Sequence, residues 1–451
     1  MTIKILTAVA MLSCLLLAPA AYGRTQTYVS VGALRADVAF IRETIARVHP
    51  DPSFSVNSDA LALALDAVVA DAPVNMTRDE AWRRLALLNP MLADAHLFVG
   101  YADWRADGAE YLADGGGFFP FEVDVDDEGG VFIRTALGGD ASELAGVRIL
   151  AINGVAAKAV TSELLRRVHG DTPRFRTALL SRRWWLYHWK VAGAVPQYRL
   201  DLAQAGRRWS VDVAASKHMP EVLRDDADFK RLFGFSIKAG CAAVLKANSF
   251  DPAFKDRFLA LTRAAFERLR EEHVDTLIID VSENGGGDDD LWLDGLMPYL
   301  ATQPYRTGSA YLKRVLEPNT ARGEVAGQTI AGTIETWHPP QPDHPLLFKG
   351  KVVVIIGPTS YSSTVLFANV MRDFGFAGVA GSGHAARRTQ TGGIRRFVLP
   401  NTGLALWVPR FILSPPEGGR RDALLDADWT PLPPCSATWN NIPGQRQGQN
   451  R

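Results

Sequence analysis

At 451 residues the chain is long enough for two or three domains. Lysine plus arginine equals aspartate plus glutamate at 49 each, so no bulk field draws it to nucleic acid or to an anionic membrane surface. In chain order, Met1-Thr2-Ile3-Lys4 is a short charged start, Ile5 to Leu17 is apolar, and Ala18 to Gly23 supplies small residues for cleavage. That is the pattern of a secretory signal peptide over residues 1–23, cut after Ala21 or Gly23. Its apolar stretch is too short for a good membrane span, as is every later one. The Met11-Leu12-Ser13 approach to Cys14 is poor for lipoprotein processing. The expectation is a secreted protein without a membrane span, periplasmic in a Gram-negative source. Export leaves Cys241 and Cys435, which permit one disulfide in an oxidising compartment and rule out a cysteine-based zinc site. No metal or cofactor is expected.

Residues 24–105 read as an N-terminal helical domain. Leu34, Val38, Ile41 and Ile45 fall at helical spacing, and Leu61, Leu65 and Val68 repeat it, followed by Trp82, Leu85 and Leu88. Ser58 and Thr77 are candidate N-caps, the latter with Glu80 completing a capping box. A helix from Arg78 to Leu88 then leads to Asp94-Ala95-His96 and a short strand. Residues 115–215 have a β-rich texture. Phe118 to Val125 and Val131 to Ile133 alternate as a hairpin, and Ala145 to Val155 resembles the strand-turn signature of PDZ domains. In such domains a glycine-containing loop receives a peptide carboxylate, and Gly116 to Phe119 is the candidate. A hairpin module that only braces a neighbouring site is the alternative.

Arg207 to Ile237 reads as a strand and a connecting loop. An α/β catalytic core is expected over 230–434, with a polar tail over 435–451. Ala242 to Asn248 is a strand, Asp251 to Glu272 a helix, and Leu277 to Val281 a buried strand running into Asn284-Gly285-Gly286-Gly287. Glycines there let backbone N–H groups approach a ligand. Asp288, Asp289 and Asp290 follow where a phosphate loop needs Lys-Ser or Lys-Thr, and their spacing fits no EF-hand loop. Pro318 to His344 reads as a surface loop. Val352 to Ile356 is a second buried strand, followed by Gly357-Pro358, three serines (Ser360, Ser362, Ser363) and a helix from Val365 to Arg372. A hydroxyl at such a bend suits a nucleophile, since the helix N-terminus offers N–H groups to an oxyanion. Taken alone, the segment favours simple helix capping.

Together the glycine and serine segments, with Gly381 and the Leu399-Pro400-Asn401-Thr402-Gly403 hairpin, resemble the tail-specific (C-terminal processing) protease family. That family includes the tricorn core and the interphotoreceptor retinoid-binding repeats. The resemblance implies a crotonase/ClpP-like spiral core, preceded by the helical domain and a PDZ-like module. It places the nucleophile on Ser362, with oxyanion donors from Ser363 and from Gly286 or Gly287. The lysine base of the bacterial processing branch is missing: Gly383 to Arg388 holds only His384 and two arginines, and arginine cannot act as a base. In tricorn-like members a histidine in the place of His96 belongs to the catalytic group, which makes His96 the expected base and His384 the alternative. Asp422 is the expected acid, with Glu417 as alternative. The other histidines (His49, His169, His188, His218, His273, His338 and His344) read as surface or loop residues. The implied function is a serine endopeptidase acting on extended or unfolded peptide substrates. A non-catalytic ligand-binding protein on the same scaffold and a small-substrate esterase are the alternatives, the former because Thr364 and Val365 stand where processing proteases have Ser and Glu.

Overall fold

The structure, a computed structural model, describes residues 28–225, 228–238 and 242–427. The expected signal peptide, all three cysteines and the expected polar tail lie outside these residues. Among the described residues no helix is long and apolar enough to cross a membrane.

The N-terminal part is helical as its periodicity requires. Helix α1 (Val31–Val48) buries Leu34, Val38, Ile41 and Ile45, and α2 (Ser58–Val69) buries Leu61, Leu65 and Val68. Helix α3 (Arg78–Leu85) starts with the capping box of Thr77 and Glu80 fully formed. The cap of α2 is Asn57, one residue before the expected Ser58; its side chain accepts the Ala60 N–H, which makes Ser58 the first helical residue. A 3-10 turn (Ala86–Leu88) and a short helix (Asn89–Leu92) follow, and Ala93 closes the latter in a left-handed conformation. That reversal sends Asp94-Ala95-His96 into strand β1 (Phe98–Tyr101), and α4 (Trp104–Ala113) completes this part.

The middle part is an antiparallel sheet of β2 (Phe121–Val125), β3 (Val131–Ala136), β4 (Arg148–Ile152), β5 (Gln197–Gln204) and β6 (Arg207–Ala214), paired in that order. Asn153 and Gly154, both at positive φ, form the tight turn after β4. Three helices separate β4 from β5: α5 (Ala157–Leu165), α6 (Pro173–Arg182) and α7 (Trp184–Ala192). The region is therefore more helical than its sequence texture suggests. In α7, Trp184, Trp185, Leu186, Tyr187 and His188 are all buried, so no one-sided stripe advertises the helix. Phe118 and Phe119 are buried, and the Phe118 N–H and C=O both bond to Ser216, so this stretch of the glycine loop is already paired. At the open edge of β2 the Val125 N–H donates to Ser181 Oγ of α6.

The core sheet runs β7 (Phe233–Lys238), β8 (Ala242–Ala247), β9 (Thr276–Asp280), β12 (Lys351–Ile356), β13 (Gly378–Gly381), with β7 antiparallel and the others parallel. Helix α8 (Lys255–Glu271) connects β8 to β9, a short α9 (Asp290–Gly295) follows the glycines, and α10 (Ser363–Asp373) connects β12 to β13. Two elements depart from expectation. Strand β7 lies inside the expected connecting loop, where Phe233, Phe235 and Ile237 alternate with Gly234 and Ser236 over only a few residues. Within the expected surface loop, β11 (Thr329–Thr333) pairs with β10 (Ala310–Arg314). These two form a second sheet with β14 (Gln390–Gly392) and β17 (Phe411–Leu413). A third sheet joins β15 (Arg395–Val398), β16 (Leu404–Val408) and β1, which fastens the strand after His96 to the far end of the chain.

Candidate active site

Strands β9 and β12 are parallel neighbours in register from Thr276 opposite Lys351 to Asp280 opposite Ile355. Their carboxyl ends therefore emerge side by side, and the glycine loop meets the serine bend there, where open α/β sheets place their sites. The three serines do different work. Ser360 is 2% exposed; its Oγ accepts the Gly357 N–H and donates to the Val281 carbonyl at 2.7 Å, stapling the two loops together. Ser363 is also buried, its hydroxyl bonded to Asp289 Oδ1 and to the Trp292 indole N–H. Ser362 alone keeps an unengaged side chain.

Backbone strain marks the same residue. Ser362 sits at φ 55°, ψ −126°, a region that costs a non-glycine residue about 1–3 kcal/mol and recurs at functional sites. Its N–H donates to Gln390 Oε1 at 2.8 Å, which helps to hold it there. Gly286 lies directly against it at φ 103°, and a Cβ on Gly286 would stand 2.7 Å from Ser362 Cβ and 2.8 Å from the Tyr361 carbonyl. Gly286→Ala is expected to lower kcat about 10²-fold by displacing Ser362. Unchanged turnover in a folded G286A protein would show that this close approach does not matter.

Of the expected oxyanion donors, the Gly286 N–H is already given to Asn284 Oδ1 at 2.8 Å, and Asn284 is itself anchored to the Ala247 carbonyl. Among the described hydrogen bonds the N–H groups of Gly287 and Ser363 have no acceptor. Ser363 stands at the start of α10, where N–H groups have no intrahelical partner.

His96 arrives beside the serine bend. Its ring stands edge-on to Tyr361, the residue before Ser362, with centroids 4.8 Å apart. No hydrogen bond joins the imidazole to the Ser362 hydroxyl; Tyr361 is their common neighbour. The ring's Nδ1 is 3.0 Å from Thr391 Oγ1, which in turn donates to Asp94 Oδ1 at 3.0 Å. Asp94 also accepts the His96 backbone N–H at 2.7 Å. Burial drives the His96 pKa down to about 4, against an opposing pull from the Asp171 carboxylate. Burial likewise raises the pKa values of Asp94 and Asp171.

Neither expected acid touches His96. Asp422 is 67% exposed and paired with Arg420, and Glu417 is 65% exposed beside Arg388. His384 is exposed too, with Nε2 2.9 Å from Asp426. Arg387, in the stretch that lacks a lysine, donates to the Ala93 carbonyl and lies 3.6 Å from Asp171. Sequence reasoning passed over Asp94, Thr391, Gln390 and Asp171. Asp94 stood two residues before His96 as a usable signal; the other three become visible only through folding. Contrary to expectation, His49, His169 and His188 are buried, and His169 stacks on Phe98 with centroids 3.8 Å apart.

Residues 243–420 match the model of peptidase family S41. Among solved structures, mature CPAF is 13% identical and aligns over 88% of this chain and 92% of its own, with a TM-score of 0.62. Mature CPAF complexed with lactacystin is 12% identical over 88% and 93%, with a TM-score of 0.61. The photosystem II D1 C-terminal processing protease is 14% identical over 88% and 92%, with a TM-score of 0.45. The CPAF likeness shows a shared fold. No curated protein matches the chain.

Proposed function

Because the chain belongs, through residues 243–420, to peptidase family S41, the tail-specific serine proteases, we propose that it cleaves extended or unfolded peptide substrates, with Ser362 as nucleophile and His96 as base. The observation that carries this assignment is a strained, unengaged serine and a buried imidazole that share Tyr361 as a neighbour, the one next to it in the chain and the other against its ring. The exported location implied by the N-terminal sequence belongs to the same proposal.

Proton bookkeeping favours this pairing. An ionised Asp94 can only accept, so the single Thr391 proton goes to Asp94. The Thr391 oxygen then accepts from His96 Nδ1–H, and the lone pair is left on Nε2, as a base requires. Thr391 and Asp94 thus take the orienting role for which Asp422 was expected. As the substrate carbonyl binds, Nε2 takes the Ser362 proton and Oγ forms the acyl bond. The tetrahedral oxyanion faces the N–H groups of Ser363 and Gly287, each worth about 3 kcal/mol of barrier. The His96 imidazolium next gives its proton to the leaving amine, and water repeats the sequence on the acyl-enzyme.

Purified protein is expected to fragment unfolded casein and to take a fluorophosphonate label on Ser362. Intact casein with no label would remove the hydrolytic reading and leave a ligand-binding scaffold. Turnover of a small ester while peptides stay intact would instead make the protein an esterase.

A further inference from the structure

Three segments carry the proposed machinery: the turn with His96, the bend with Ser362, and the loop leading to Gln390 and Thr391. Asp94, on the first of them, reaches the other two through the Tyr361 hydroxyl at 3.3 Å and Thr391; a second buried carboxylate touches all three from outside them, in the middle part of the chain. Asp171, in the connection between α5 and α6, is 7% exposed. Its Oδ1 accepts the Tyr361 hydroxyl at 2.7 Å and the Ala95 N–H at 3.2 Å, and its Oδ2 accepts the Arg387 N–H at 3.0 Å. Tyr361 adjoins Ser362, Ala95 adjoins His96, and Arg387 lies three residues before Gln390. Neighbouring groups seat the connection itself: Thr172 Oγ1 donates to the Ala385 carbonyl, and Asn89 Nδ2 to the Arg167 carbonyl.

We infer that Asp171 is a positioning residue, which sets the separation of Ser362 and His96 by bonding to the neighbours of both, so that the middle part of the chain completes the site. A carboxylate suits the task. It offers two oxygens and about four acceptor positions to donors from three directions, whereas an amide turns one of those ends into a donor. In Asp171→Asn, either the Tyr361 hydroxyl or the Arg387 N–H meets an N–H group, and the ion pair to Arg387 is lost. The inference rests on the Ser362–His96 assignment.

The test uses the full-length protein. Asp171→Asn is expected to slow fluorophosphonate labelling of Ser362 and to lower kcat, both about 10²-fold, with KM changed less than about threefold. Tyr361→Phe keeps the ring against His96 and Phe175 while deleting the hydroxyl; it should lose in the same direction, and the double variant should lose less than the product of the two. The pH profile supplies an independent readout. His96 and Asp94 on one segment face Asp171 and His169 of the middle part, Tyr361 of the serine bend and Arg387 of the loop before β14. Removing the Asp171 charge takes away an influence that raises the His96 pKa, so the acid limb of kcat/KM should move to lower pH. His96 is then still neutral at pH 7, and a loss measured there reports geometry, not protonation. A folded Asp171→Asn protein that labels at the wild-type rate overturns the inference, as does a folded Tyr361→Phe protein with wild-type kcat if Asp171→Asn does not fold. An inactive, unlabelled wild type would overturn the Ser362 assignment and this inference together; equal labelling overturns only the inference.

Discussion

Ser362→Ala is expected to lower kcat by about 10⁵-fold or more while the protein melts at an unchanged temperature. The size follows from the proposed role of Ser362: removing the nucleophile of a group that works as a unit leaves only oxyanion stabilisation and binding. The unchanged melting follows from the hydroxyl capping no helix and having no partner among the described hydrogen bonds. Ser362→Gly sharpens the test. Glycine tolerates φ 55°, ψ −126° without a Cβ clash, and it loses more conformational freedom on folding. Relief of the strain should outweigh that loss and stabilise the inactive protein by about 1 kcal/mol in denaturant titration. Residual hydrolysis close to wild type in either variant would place the nucleophile elsewhere. A destabilised Ser362→Gly protein would mean the bend is not strained.

His96→Gln is expected to cost about 10⁴-fold or more in kcat, since among the described residues no other histidine ring packs against Tyr361 of the serine bend. The same substitution has a second, thermodynamic signature. In the folded protein His96 has a pKa near 4 because burial disfavours its charged form, against 6.5 when unfolded. Above pH 6.5 both states hold a neutral ring and the difference contributes nothing. Between 6.5 and about 4 the unfolded state binds the proton first, and stability is lost, by about 3 kcal/mol at full extent. His96→Gln should therefore flatten the fall of stability over that window by up to one proton's worth. His49 and His188, also buried and near 4, continue to supply an acid-sensitive slope. Activity should follow the same direction, steady at neutral pH and lost as the ring protonates. A His96→Gln protein that turns over normally would remove the base assignment, and an unaltered pH–stability curve would remove the account of its burial.

Much of this architecture could be read directly. The apolar runs at Leu277–Val281 and Val352–Ile356 have the length and β-branched content of strands buried on both faces, and the helices before His96 repeat every three to four residues. The glycine at 286 and the serine at 362 were legible because few residue types suit a positive φ or a nucleophilic bend. Asp422 shows where such reading stops. The family resemblance made it the expected acid, but the side chain points into solvent and pairs with Arg420 two residues away. Its rival for the orienting role, Asp94, is distinguished by complete burial and by a threonine from a distant strand. Helix α7 was missed for a related reason: packing on nearly every side removes the polar face that makes a helix visible in one dimension.

The amino-acid sequence by itself determined the strands, the bends and the chemical types at the site, because backbone preference and side-chain chemistry are local properties. Only the tertiary structure shows that Thr391 links His96 to Asp94 while Asp422 stays at the surface, which of three serines keeps an unengaged hydroxyl, and that Asp171 bonds to the neighbours of Ser362 and His96. Those outcomes depend on burial and on angstrom-scale distances between residues far apart in the chain, and no spacing along the sequence encodes them.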